Sequence, residues 1–120
     1  KRINEILNLK KQVFNLYYDL FKDFVDFQFL GHSVSSHWLT SILFKTEDQK
    51  NKAVEKLNLE GIETRPLFYP IPDLPYFSSN SFEVVNSKKL WSKGLSLPSY
   101  PELKKIEINK ICNIIINICK

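Results

Sequence analysis

At 120 residues, with 43% apolar and 25% charged side chains, the chain has the composition of one modest globular domain, which excludes a disordered segment. A formal charge of +4 invites a nucleic-acid partner. Lys10, Lys11, Lys45, Lys50, Lys52, Lys88, Lys89, Lys104 and Lys105 are, however, scattered among Asp and Glu as on solvated helix faces, so no such partner is expected.

Ile3, Leu7, Phe14, Tyr17, Phe21 and Phe24 recur at three- and four-residue steps with only Lys10 interrupting, which predicts a helix over about 3–24. Aromatics suit a coiled-coil seam poorly, so this stripe is expected to pack on a sheet. Residues 26–36, with Gly31 and three serines, read as a loop. Trp38 to Phe44 reads as a strand with Trp38, Ile42 and Phe44 on one face and Leu39 and Leu43 on the other. Thr46 with Gln49 forms a capping box for a helix ending near Leu59, and Gly61 follows where a left-handed residue closes a helix. Ile62 to Arg65 alternates as a short strand does, and Pro66 forces Arg65 to be extended.

Pro66, Pro70, Pro72 and Pro75 are interleaved with Phe68, Tyr69, Tyr76 and Phe77, so this stretch reads as a stiff aromatic loop. A helix from Phe82 to Lys93 is expected, capped by Asn80 or Ser81 and stopped by Gly94. Leu95 to Leu97 supplies a brief strand, Pro98 and Pro101 bracket a turn, and a last helix carries Ile106, Ile111, Ile115 and Ile118. The fold class is therefore α/β: about three short strands in one small, mainly antiparallel sheet covered by helices.

The loop after Arg65 suits a ligand with phosphate and a planar ring, because guanidinium forks phosphate oxygens and aromatic faces stack on bases. The alternative is a connector whose aromatics fill the core and whose Arg65 pairs with a local carboxylate. His32 and His37 have no thiol or carboxylate between them at ligand spacing, so no metal site is expected. Cys112 and Cys119 lie seven residues apart, about 10.5 Å along a helix, too far for a disulfide; buried thiols are expected. No signal-peptide pattern or membrane-length apolar run is seen, since Asn113 and Asn117 break the Ile-rich tail. A cytoplasmic location is expected, with no membrane partner.

Gly61-Ile62-x-Thr64-Arg65, then Phe68-Tyr69-Pro70, a helix, Gly94-Leu95-x-Leu97-Pro98 and Leu103 before a last helix resemble the closing part of the DegT/DnrJ/StrS-type pyridoxal-phosphate-dependent sugar aminotransferases, most closely the perosamine-synthase branch. Lys1 and Arg2 opening a long helix, and Ser36, His37 and Trp38 opening a strand, extend the likeness over nearly the whole chain. Two positions depart from the pattern. Pro72 stands where the family usually has a histidine, and Lys104 stands where a capping threonine follows the leucine.

The resemblance implies the small C-terminal domain of a fold-type-I aminotransferase over residues 1–120, with 1–25 as leading helix and 37–120 as sheet and covering helices. Phe14, Phe21 and Phe24 would face the large domain and form an apolar patch on the isolated piece. The whole enzyme would move an amino group from glutamate to a keto nucleotide-deoxysugar in polysaccharide or sugar biosynthesis. It would act as a homodimer formed through the large domain, which would also hold the pyridoxal phosphate. No lysine here matches the Schiff-base context and Gly31, Gly61 and Gly94 form no phosphate-cradling loop, so no catalytic, cofactor-binding or metal residue is expected and the piece alone would be inactive. Arg65, Phe68, Tyr69 and Tyr76 are the substrate-contact candidates. Two other readings are a non-catalytic split or decayed module docking on a large-domain partner, and a related pyridoxal-phosphate-dependent sugar dehydratase.

Overall fold

A computed structural model describes residues 2–28, 31–77 and 84–120. The first helix, α1 (Ile3–Phe21), ends three residues earlier than its apolar stripe suggests. Val13, Tyr17 and Phe21 are buried, whereas Ile3 and Leu7 stay exposed. Phe14, Phe21 and Phe24 therefore do not form the expected apolar patch. Phe21 is wholly buried, Phe24 packs on the core, and Phe14 is covered by His37 and Phe27, with ring centroids 4.3 and 5.7 Å away.

Asp26–Phe27, within the expected loop, is an edge strand (β1) that pairs antiparallel with β2 (Thr40–Leu43). Phe27 is held there by edge contacts to Phe14 and Tyr18 and a stacked contact to Phe21. The strand β2 begins two residues later than read from the sequence. His37 has φ +49°, the one non-glycine residue with positive φ among those described, and it breaks the extended run. Trp38 is consequently 68% exposed instead of sharing the buried face with Ile42 and Phe44.

Helix α2 (Glu47–Leu59) starts at Thr46, whose hydroxyl oxygen accepts the Gln49 N–H at 3.2 Å. The return half of the box is not made, and the Gln49 amide oxygen is buried without a partner among the described residues. The helix closes as expected on Gly61 at φ +71°: the Gly61 N–H reaches the Asn58 carbonyl and the Ile62 N–H the Leu57 carbonyl, a Schellman pair.

The third strand is only Arg65–Pro66 (β3) and lies at the sheet edge, where a missing N–H is tolerated. Two short 3-10 turns, Ile71–Asp73 and Pro75–Phe77, follow. Helix α3 spans Val85–Lys93; the expected caps Asn80 and Ser81, and Phe82, lie outside the described residues. Gly94 opens β4 (Gly94–Leu97) in extended conformation at φ −93°, so it does not serve as a left-handed stop. The last helix, α4 (Lys105–Cys119), is capped from within: the Glu107 carboxylate accepts the Lys104 backbone N–H at 3.0 Å, a contact that needs nothing from the lysine side chain.

Among the described residues the sheet therefore has four antiparallel strands, in the order β1-β2-β4-β3. Residues opposite one another in a ladder share a face. Thr40 with Leu97 and Ile42 with Leu95 point to one side, and Ser41 with Ser96 and Leu43 with Gly94 to the other. The first side carries the core with Tyr17, Phe21, Ala53, Leu57, Ile108, Ile111 and Ile115 from α1, α2 and α4. Both cysteines are free; Cys112 belongs to this core and Cys119 is half-buried. No helix among the described residues is long and apolar enough to cross a membrane.

Candidate functional site

The other side of the sheet is where the sequence candidates begin to meet. After β3 the chain turns over this open face, and Gly94 lets it pass: a Cβ there would collide with the Leu67 side chain and come within 2.7 Å of the Leu90 carbonyl oxygen. The requirement is for close approach rather than for unusual φ. Leu67 seated over Gly94 carries Phe68 to Trp38, with ring centroids 6.5 Å apart and planes tilted by 34°. Both rings are largely exposed, Phe68 at 78%. The aromatics of the loop thus do not fill the core.

Arg65 lies opposite Ser96, which lies opposite Ser41, so a guanidinium and two hydroxyls form a row across β3, β4 and β2. The hydroxyl oxygens are 2.9 Å apart and share a hydrogen bond. The Arg65 side chain is 77% exposed, and its Nη2 donates to Glu63 Oε1 at 3.2 Å, the local carboxylate that a plain connector would offer. Such an exposed pair holds an arginine by only about 0–1 kcal/mol, so it leaves the guanidinium available.

Two clefts flank the row. One of about 640 Å³ is bordered by Arg65, Leu39, Ser96, Tyr100, Glu107 and Lys110. The other, of about 670 Å³, is bordered by Trp38, Leu39, Ser41, Leu67, Phe68 and Leu90. Leu39 is the wall they share. Glu60 and Lys110 pair at 2.7 Å beside the first, and that hydrogen bond holds the Glu60 carboxyl below its ordinary value.

Arg65 and Phe68 are brought to this face; the other two candidates are not. Tyr69 turns onto α3, edge-on to Trp91 at 4.9 Å. Lys88 with Asp73 at 3.1 Å fixes the first 3-10 turn to the same helix. Tyr76 is 92% exposed on the second turn. The exposed Arg65 guanidinium and the Trp38 and Phe68 rings can bind and orient an anionic, planar ligand, whereas Ser96 is buried and its hydroxyl is paired with that of Ser41. Among the described residues, no nucleophile with a base and an orienting group is assembled there.

Trp38, Lys10 and Ser99 escaped sequence reading as site elements. The Lys10 ammonium, in the middle of an apolar stripe, donates to the Ser99 carbonyl at 2.7 Å, and the Ser99 hydroxyl donates to the Trp38 carbonyl at 3.3 Å. The Tyr17 hydroxyl donates to the adjoining Pro98 carbonyl at 3.0 Å. The break that Lys10 makes in the stripe was the available signal. His37, stacked on Phe14, is lowered below its ordinary pKa by burial and by Lys11 and Lys10.

Pyridoxal phosphate needs an amine free to form an imine and a turn that cradles phosphate. Burial lowers the Lys10 amine, yet it is occupied by Ser99. Gly31 and Gly61, with positive φ, sit in a turn and at a helix end. Among the described residues, neither Lys10 nor these glycines fit that cofactor's site.

Comparison with known proteins follows the same lines. The model of the DegT/DnrJ/EryC1/StrS aminotransferase family matches residues 1–116. GDP-perosamine synthase of Escherichia coli O157:H7 is 32% identical over 80 residues, which cover 67% of this chain and 22% of that protein. GDP-perosamine synthase of Vibrio cholerae is 30% identical over 128 residues, 98% of this chain and 34% of that protein. Helicobacter pylori PseC, an aminotransferase involved in the biosynthesis of pseudoaminic acid, shares the fold with a TM-score of 0.87 at 19% identity, over 99% of this chain and 34% of that one. The chain thus spans about a third or less of the length of these proteins.

Proposed function

This chain belongs to the DegT/DnrJ/EryC1/StrS aminotransferase family, and on that footing we propose that it is the C-terminal small domain of a pyridoxal-phosphate-dependent sugar aminotransferase. The complete enzyme takes an amino group from glutamate and delivers it to a keto nucleotide-deoxysugar, in the cytoplasm and as a homodimer formed through its large domain. The large domain holds the cofactor and does the chemistry. The small domain contributes substrate contacts from its open sheet face: Arg65 to an anionic part of the substrate, with Phe68 shaping the wall and Tyr69 and Tyr76 further along the loop. The observation that carries this reading is the family match over residues 1–116 together with the exposed Arg65 guanidinium in a row with Ser96 and Ser41.

The test uses the complete protein that contains this chain. Arg65→Ala is expected to weaken nucleotide-sugar use by about 1.5–3 kcal/mol, the value of a charge-assisted hydrogen bond, with cofactor loading unchanged. Arg65→Lys recovers little, because a point charge cannot reproduce a two-pronged contact. If both variants lower only the melting temperature and leave KM untouched, Arg65 braces the loop against Glu63 and leaves the site. A Schiff-base lysine in the large domain supports the transaminase, whereas a histidine in its place turns the reading to a dehydratase.

A further inference from the structure

The open sheet face presents an aromatic pair that the chain goes to some length to hold outward. Trp38 is 68% and Phe68 78% exposed, although hydrogen bonds hold the backbone at and before Trp38 and a close chain crossing holds the residue before Phe68. Behind Trp38, the backbone of His37 is bent into the left-handed region at φ +49°. That conformation is costly for a residue with a Cβ and persists only where neighbours enforce it. Here the Ser35 hydroxyl accepts the His37 N–H at 2.9 Å, and the His37 ring stacks on Phe14 at 4.3 Å. The bend takes Trp38 out of the sheet's alternation. Ahead of the bend, the Trp38 carbonyl is fixed by the Ser99 hydroxyl, whose own carbonyl is fixed by Lys10. Phe68 is set by the crossing of Leu67 over Gly94.

A pair that served only packing within this domain would be turned inward by the hydrophobic effect. Both rings instead stand at one end of a cleft of about 670 Å³, across Leu39 from the cleft that Arg65 borders. The geometry points to Trp38, with Phe68, as the platform on which the planar base of the substrate's nucleotide stacks, while Arg65 takes its anionic part. Aromatic faces accept any base at comparable strength, so this subsite supplies affinity for a base and leaves the choice among bases to hydrogen bonds elsewhere. This assignment rests on the nucleotide-sugar reading above and adds a residue and a ligand part to it.

The experiment titrates the complete protein by calorimetry with adenosine, guanosine, uridine and thymidine diphosphates, and with inorganic pyrophosphate as the control without a base. Trp38→Ala is expected to weaken the best-bound nucleoside diphosphate about tenfold or more and to leave pyrophosphate unchanged; Trp38→Phe restores most of the loss. Equal weakening of nucleoside diphosphate and pyrophosphate, or weakening of neither, overturns the assignment and makes the pair a packing contact. So does a loss that Trp38→Phe fails to recover. A wild-type protein that binds none of the four nucleoside diphosphates overturns the nucleotide-sugar reading itself, which separates the two failures.

Discussion

The two faces of the sheet are built from alternate residues of the same strands, yet they are solved in opposite ways. On the covered face Thr40, Ile42, Leu95 and Leu97 meet three helices and almost nothing reaches water. On the open face Ser41, Ser96 and Arg65 form a polar row, and glycine stands where the covered face has leucine. On the function proposed above, four short strands carry both stability and recognition: period-two alternation separates the two tasks residue by residue.

The largest effect that sharpens the contrast belongs to the covered face. Phe21→Ala empties a fully buried site between Tyr17 and Phe27 and is expected to cost about 3–5 kcal/mol of stability. Denaturant unfolding of the complete protein measures it, and KM of the folded fraction should stay constant. Gly94→Ala, on the open face, is expected to cost about 1–3 kcal/mol by overpacking against Leu67 and the Leu90 carbonyl. It should also raise KM, because Phe68 is displaced from Trp38. A stability loss with unchanged KM would break the division of labour between the faces.

The smallest effect near neutrality concerns pH. Burial pushes the Cys112 thiol and the Tyr17 hydroxyl well above their ordinary values of 9.0 and 10.0, with Cys112, Tyr100 and Glu107 adding to the Tyr17 shift. Both groups hold their protons more tightly folded than unfolded. Their contribution is complete below the unfolded values and is lost as pH rises above about 9, where the unfolded chain alone ionises. Melting temperature should be level from pH 7 to about 9 and fall beyond it, and Cys112→Ala should flatten the first part of that fall. Arg65, on the open face, should leave this profile unchanged.

Much of the covered face was legible because its signals are local. Thr46 before a helix, Gly61 after it and Ile111 and Ile115 at helical spacing each report on their own neighbourhood, although Ile106, read with them, is 75% exposed. The short strand Asp26–Phe27 was not legible, since two residues carry no period and its existence depends on Leu43 and Ile42 across the ladder. The stripe of α1 gave the helix but not the direction of its aromatics, which α4 and Phe27 decide. On the open face Arg65 and Phe68 stood out as residue types. Trp38 did not, because the alternation that assigned it to the core is interrupted by a single backbone angle at His37. Nor could sequence tell that Gly94 serves a chain crossing, which requires knowing that Leu67 lies on top of it.

One connection joins the faces. Helix α1 is a rod of 19 residues, about 28 Å long, whose first turns stand exposed while its middle is latched through Lys10 to Ser99 and thence to the main chain of Trp38. The C-terminal half of the rod is set in the core through Val13, Tyr17 and Phe21, so the latch ties the main chain that carries the Trp38 ring to the most firmly held helix face of the domain.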